Sequence, residues 1–179
     1  MNSLTNLHNS IFGAVERALS GWFLGLLARF VFSSVTLLFF WNSAKTKIGD
    51  HIFSPSTGAY AQIFPKKFEA VGYDSDALSI LDTLVVLAGT YAEFLLPLLI
   101  LIGLFTRLSS AAMIGFIAVM SIVDITGHGA DAKTIGAMFD RIQDGVILDQ
   151  RLLWIFPLIY LIVKGAGAIS VDGLLARRR

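Results

Sequence analysis

The stretch Thr90–Arg107, TYAEFLLPLLILIGLFTR, carries a single acid, Glu93, in an otherwise almost unbroken apolar run. An unpaired charge in hydrocarbon is costly, so such a residue has a partner or a task. Arg29, in LARFVFSSV, is the cation that a depth argument offers it. At about 1.5 Å per helical residue, Glu93 lies roughly 21 Å from the Arg107 end of its helix and Arg29 roughly 10 Å from the same side. A long arginine side chain closes much of that gap, and a Glu93–Arg29 pair is expected. Three readings of the pair stand side by side. It is a structural ion pair fixing helix register, a protonatable site beside a quinone or another substrate, or a carboxyl kept neutral.

A second polar group gathers where the apolar runs end on the other side: Lys45, Lys47, Asp82, Asp124, His128 and Arg151. Charges are cheap at helix ends, and interfacial solvation explains much of this group. The sharper reading is a functional mouth. In VDITGHGAD, Asp124 and His128 are four apart and share a face on a continuing helix. Such a pair relays protons or contributes to a metal site. Two ligands do not make a metal site, however, and Gly127 and Gly129 are expected to end the helix, so no metal is assigned. Met113, Met120 and Met138 show no copper-binding arrangement and are read as packing residues, while Lys164 is expected to snorkel to the headgroups. The chain of 179 residues has no cysteine. That rules out a dithiol relay, a cysteine-ligated iron–sulfur cluster and thioether-linked haem.

These residues sit in a chain that is 55% hydrophobic and only 15% charged, with a mean hydropathy of +0.73. A soluble domain carries nearer a quarter charged residues. Spanning the bilayer takes about 20 apolar residues, and four segments qualify: 22–44, 79–106, 108–125 and 151–169. The fold class expected is an all-α, four-helix membrane bundle forming one domain over 1–179. The second span is long enough to need tilt or a kink, for which Pro97 offers a site. The third is rich in Ala, Ser and Gly, which let helices pack closely in lipid.

Residues 1–21 precede the bundle, and Ile11, Phe12, Val15, Leu19, Trp22 and Phe23 recur there at helical spacing. This is either an amphipathic lead-in at the membrane interface or a face packed in the bundle. The segment lacks the basic-then-apolar layout of a cleavable signal and is expected to be retained. The outer loops 45–78 and 126–150 fall on one side and both termini on the other. The Arg107 turn and the Arg177–Arg179 tail favour cytoplasmic termini, against Lys45, Lys47, Lys66 and Lys67. Within the first loop, Tyr60, Phe64, Phe68 and Tyr73 are too aromatic for a solvated linker and predict a structured cap. Lys/Arg clustering is absent outside the tail, which excludes a nucleic-acid face.

The order of these features resembles the DoxX family of small four-helix membrane proteins, which includes relatives of the DoxD subunit of thiosulfate:quinone oxidoreductase. LARFVFSSVTLLFFWNSAKTKI is similar to the family's arginine-started helix with its closing Gly-x-x-Lys-Leu; Arg29 and Lys47 take the charged positions. Ala44 stands where glycine is usual and Ser43 where histidine is frequent. Glu93, Gly103, Thr106 and Arg107 match a glutamate followed by Gly-Leu-x-Thr-Arg. Gly165, Gly167, Ser170 and Asp172 match the closing Gly-x-Gly-x-x-Ser-x-Asp.

The resemblance implies an integral subunit of a quinone-linked oxidoreductase or redox-protection system in the bacterial inner membrane, acting with partner proteins. Quinone is then the expected small molecule, and no other cofactor is assigned. Glu93 and Arg29 would form its polar centre. Lys47, Asp82, Asp124, His128 and Arg151, with Phe64 and Phe68 of the cap, would form a mouth for a quinone or a partner. The alternative is a non-enzymatic anchor or assembly scaffold that docks a protein through residues 52–73. Transport fits less well, because four helices without an internal repeat give little room for alternating access unless the chain forms a homo-oligomer.

Overall fold

The computed structural model describes residues 2–178, which build helices and turns with no strand among them. Helix α1 (Asn2–Leu19) leads through a turn at Ser20–Trp22 into α2 (Phe23–Lys47). Two short helices follow, α3 (Thr57–Ile63) and α4 (Pro65–Ala70). Then come α5 (Ile80–Ile102) and α6 (Thr106–Ile122), the latter continued by a π-turn over Val123–Gly127. A single turn, α7 (Ala132–Ile135), precedes a second π-turn (Val146–Gln150) that opens α8 (Arg151–Lys164). Helix α9 (Val171–Ala176) closes the chain.

Four of these segments are long and apolar enough to cross a membrane: Phe23–Lys47, Ile80–Ile102, Thr106–Gly127 and Val146–Lys164. Only 22–33% of each apolar window is buried inside the bundle. Leu38, Leu84, Leu108, Leu153 and Phe156 are instead exposed on the outside of the bundle, and their partner is lipid. The expected four-helix membrane bundle is therefore the observed one.

The span limits shift for local reasons. Helix α5 stops at Ile102 rather than 106, because Gly103 takes the left-handed conformation (φ +71°) and the Leu104 amide bonds back to the Leu99 carbonyl. Helix α8 ends at Lys164 rather than 169, where Gly165 (φ +82°) turns the chain away. Lys164 is exposed in that last turn, as snorkelling requires. At its other end α5 begins with a capping box, Ser79 and Asp82 each bonding the other's amide.

The spans pack in a ring, α2 beside α5, α5 beside α6, α6 beside α8 and α8 beside α2. Phe32, Phe40, Ile100, Met113, Ile117, Leu158 and Leu161 fill the centre. Met113 and Met120 thus pack as expected, whereas Met138 is exposed in the 126–150 loop.

A second, smaller core lies over the first turns of α5. There Ala59, Tyr60, Phe68 and Val86 meet, with Phe64 packed against them. The aromatic loop is a structured cap. Lys67 pairs with Asp82 at 2.7 Å and the Tyr60 hydroxyl meets Thr83 Oγ1 at 3.0 Å, so the cap is fastened to α5 by polar contacts as well. Helix α1 behaves differently. Its Leu4, Leu7, Ile11, Phe12 and Val15 stay exposed rather than packing on the bundle, which favours the interfacial reading over the packed one.

Outside the spans, Asp131 caps α7. Its bond from Thr134 holds the carboxylate below the usual range.

Candidate functional site

Two polar centres lie at opposite ends of the bundle. The first is on the side of the termini. The Arg29 guanidinium, buried at 4% exposure, donates to the carbonyls of Leu101 (2.7 Å), Ala166 (3.3 Å) and Ile169. Those carbonyls belong to chain ends that helices leave unsatisfied: the last turn of α5 and the link between α8 and α9. Asp172 completes the arrangement by accepting from the Phe105 and Thr106 amides at 2.8 and 2.9 Å, capping α6. Ser170 caps α9 and donates to the Gly167 carbonyl.

Gly103 is required here on two grounds, its positive φ and its neighbours. A Cβ on it would stand 2.6 Å from Ser170 Cβ and 3.1 Å from Arg29 Nη1. Gly165, beside the exposed Arg107, and Gly167, beside the Trp22 carbonyl, line the same junction. Gly103, Thr106, Arg107, Gly165, Gly167, Ser170 and Asp172, singled out together in the sequence, all fall at this knot.

The second centre lies between the cap and mid-bundle. Lys47 Nζ is 2.9 and 3.1 Å from the two Glu93 carboxylate oxygens and 2.6 Å from Ser43 Oγ. Ser43 also donates to Glu93 at 3.3 Å. Both charged side chains are nearly sealed, at 5% and 6% exposure.

The expected Glu93–Arg29 pair is therefore not formed. Antiparallel packing sets Arg29 against Leu101, and the Trp41 indole against the Phe94 carbonyl. Glu93 is eight residues from Leu101, or roughly 12 Å along the helix, beyond arginine's reach. The sequence held a sign of this. Arg29, Ser33, Thr36, Phe40, Ala44 and Lys47 recur at helical spacing and form the buried stripe of α2, while Lys45 is exposed. Lys47 is the inward lysine.

From this pair a cleft of about 680 Å³ runs between α5 and α6. Ala88, Gly89 and Ala92 of α5 face Ala112, Gly115 and Val119 of α6, and Gln62 and Ile63 of α3 close the cap end. The volume suits a ring-sized ligand.

Asp124, His128 and Arg151 line the same cleft. Arg151 donates to Asp124 at 2.5 Å and to Ser121 Oγ at 2.8 Å, while its buried Nε has no partner. The two π-turns make this contact, one supplying Asp124 and the other ending at Arg151; such turns recur at functional sites. His128 does not relay from Asp124. Its Nε2 donates to the Gln62 carbonyl at 3.0 Å, tying the π-turn to the cap. The helix does end here, with Gly129 at φ +67°.

Of the residues singled out in sequence, the cleft unites Glu93, Lys47, Asp124, His128 and Arg151. It does not include Arg29, which is held in the knot. Asp82 is also outside it, committed to the α5 capping box and Lys67. Phe68 is 1% exposed in the core of the cap and does not offer the docking face expected of it, while Phe64 packs beside it, partly buried. Sequence reasoning missed Ser43, Ser121 and the facing small residues of α5 and α6 as parts of one site. The signal for the facing small residues was the run of Ala and Gly in the two spans.

Among the described residues no group of three His, Asp or Glu side chains converges to hold a metal ion. No family model matches the chain, and no curated protein or solved structure is significantly similar to it.

Proposed function

We propose that the chain is the integral membrane subunit of a quinone-linked oxidoreductase or redox-protection system, acting with partner proteins. The observation that carries this reading is the cleft between α5 and α6 with a buried Lys47–Glu93 pair at its inner end. Reducing a quinone to a quinol takes two electrons and two protons. A reduced partner protein supplies the electrons, since this chain has no thiol to do so. The protons must cross hydrocarbon, and a carboxylate hydrogen-bonded to an ammonium and a hydroxyl is a group that can hold one there. Lys47 and Arg151 are donors suited to carbonyl oxygens. The resemblance of the charged positions to the DoxX family points the same way. In this reading the membrane is the bacterial inner membrane, the termini are cytoplasmic and the cap faces outward.

The test is the organic extract of the protein purified in mild detergent, assayed for stoichiometric quinone by mass spectrometry. Wild type is expected to retain quinone. Glu93→Gln, and the doubly neutral Lys47→Gln/Glu93→Gln, are expected to fold and lose it. Quinone absent from wild type sinks the reading.

That outcome favours a non-enzymatic scaffold, for which one observation speaks. Phe53 and Phe139 are 74% and 103% exposed in the cap-side loops, and they take the place of the buried Phe68 in a face for a protein partner.

A further inference from the structure

The glycines of this protein fall into two kinds. Gly103, Gly25 and Gly173 are demanded by their surroundings: a Cβ at Gly25 would lie 2.5 Å from the Ala166 carbonyl oxygen, and one at Gly173 2.6 Å from that of Ala168. Gly115 is not. It lies within α6 at ordinary helical φ, and a Cβ on it would meet nothing within 4 Å. On the facing wall a Cβ at Gly89 would make only an ordinary 3.5 Å contact with Ile63. Glycine within a helix costs stability relative to alanine. Neither packing nor backbone conformation explains why these two positions lack a side chain. What they do is keep space open. Ala88, Ala112, Gly115 and Val119, along the lip of the cleft, are exposed well inside the spans, so the opening faces hydrocarbon rather than the aqueous loops.

Small facing residues alone also suit helix–helix contact. The inner wall of this cleft argues against a second helix as its filling. Arg151 lines it together with Lys47, Glu93 and Asp124, four charged side chains on one wall. Covering charged groups with a surface that offers them no polar partner is costly, and the apolar face of a neighbouring helix is such a surface.

We propose that the gap between α5 and α6, kept clear by Gly89 and Gly115, is a lateral doorway through which a lipid-soluble molecule with a hydrogen-bond-accepting headgroup passes from the bilayer to Arg151 and the Lys47–Glu93 pair. This deepens the quinone reading and rests on it for the identity of the headgroup. It adds a route and a shape: a narrow ring admitted sideways, with its tail left in lipid.

The experiment uses the full chain in lipid nanodiscs and two carbene-generating diazirine probes, one partitioned into the bilayer and one water-soluble. Labelling at Glu93 and Ser43 is read by mass spectrometry, with lipid-facing Leu153 as the internal standard. The bilayer probe is expected to label Glu93 and Ser43 in wild type. Gly115→Leu is expected to reduce that labelling roughly tenfold without lowering the unfolding temperature, since the new side chain grows into open space. Ala112→Leu, on the same lip, is the second plug and guards against a folding artefact in the first.

Loss of label in both variants, with added long-chain quinone competing in wild type, supports doorway and quinone together. The same loss without competition upholds the doorway and removes the quinone. Labelling unchanged by either plug, or produced only by the water-soluble probe, overturns the doorway. So does a wild type that takes no label because a second copy seals the gap, which native mass spectrometry would register as a dimer.

Discussion

The knot around Arg29 and the cleft around Glu93 are both buried polar centres in one apolar bundle, and they are built on opposite principles. In the knot, each guanidinium nitrogen has an acceptor, and the acceptors are backbone carbonyls at the ends of helices. The glycines there are packed to contact, and three segments distant in sequence are held in one place. Around the cleft, charges pair with each other beside an open volume, and Gly115 on its lip faces empty space. A centre closed on all sides by its own backbone holds a fold. A centre whose charges border an open volume has something left to offer a ligand. The difference marks Arg29 as architectural and leaves Glu93 as the group on which the proposed function rests, although in sequence each is simply a charge inside an apolar span.

Breaking the knot is expected to have the largest effect. Arg29→Leu strands three carbonyls, each unsatisfied group costing about 1–3 kcal/mol. Folded protein should be scarce in detergent and its unfolding temperature far below that of wild type. Were Arg29→Leu to unfold like wild type while losing a bound quinone, the division of labour would be reversed.

The cleft pair should respond in two stages. Glu93→Leu alone leaves Lys47 buried without its anion, a loss of about 3–5 kcal/mol. Lys47→Met/Glu93→Leu replaces both charges by apolar groups, which is often neutral or stabilising for buried pairs. The double variant should therefore regain most of the thermal stability lost by the single one, and a quinone should still be absent from its extract. Stability and ligand recovered together would mean that the pair serves only the fold.

How much of this was legible in the sequence follows from the same contrast. Hydropathy placed the four spans because lipid acts on each helix separately, residue by residue. The cap was legible too, since Tyr60, Phe64 and Phe68 mark a loop that must bury something. The partner of Glu93 was not, because the separation in depth from Arg29, roughly 12 Å along the helix, is more than an arginine spans, and Arg29 has carbonyls nearer to hand. Gly103 ends α5 earlier than the apolar run does, and the register of α2 on α5 is fixed by contacts such as Trp41 with Phe94 that leave no trace in hydropathy. Asp82 was misplaced for a related reason. A capping box and a mouth charge look alike until the helix start is known, and here the start is defined by Ser79 and Asp82 themselves.

The smallest effect expected is also the one that divides the two centres most cleanly, because it makes the same change in both. Gly103→Ala must adopt φ +71° and crowd Ser170, and a left-handed alanine costs about 1–2 kcal/mol before any crowding. Gly115→Ala sits at helical φ with no atom to meet, and exchanging a helix-interior glycine for alanine stabilises by roughly 0.5–1 kcal/mol. The two variants should move the unfolding temperature in opposite directions, by about 2–4 °C per kcal/mol for a chain of this size. A protein that could be stabilised by one methyl group, and is glycine there instead, keeps that space for a reason other than its own packing. If Gly115→Ala proved destabilising, that reason would disappear, because the position would then be filled by a contact within the folded chain and the cleft would be narrower than its walls suggest.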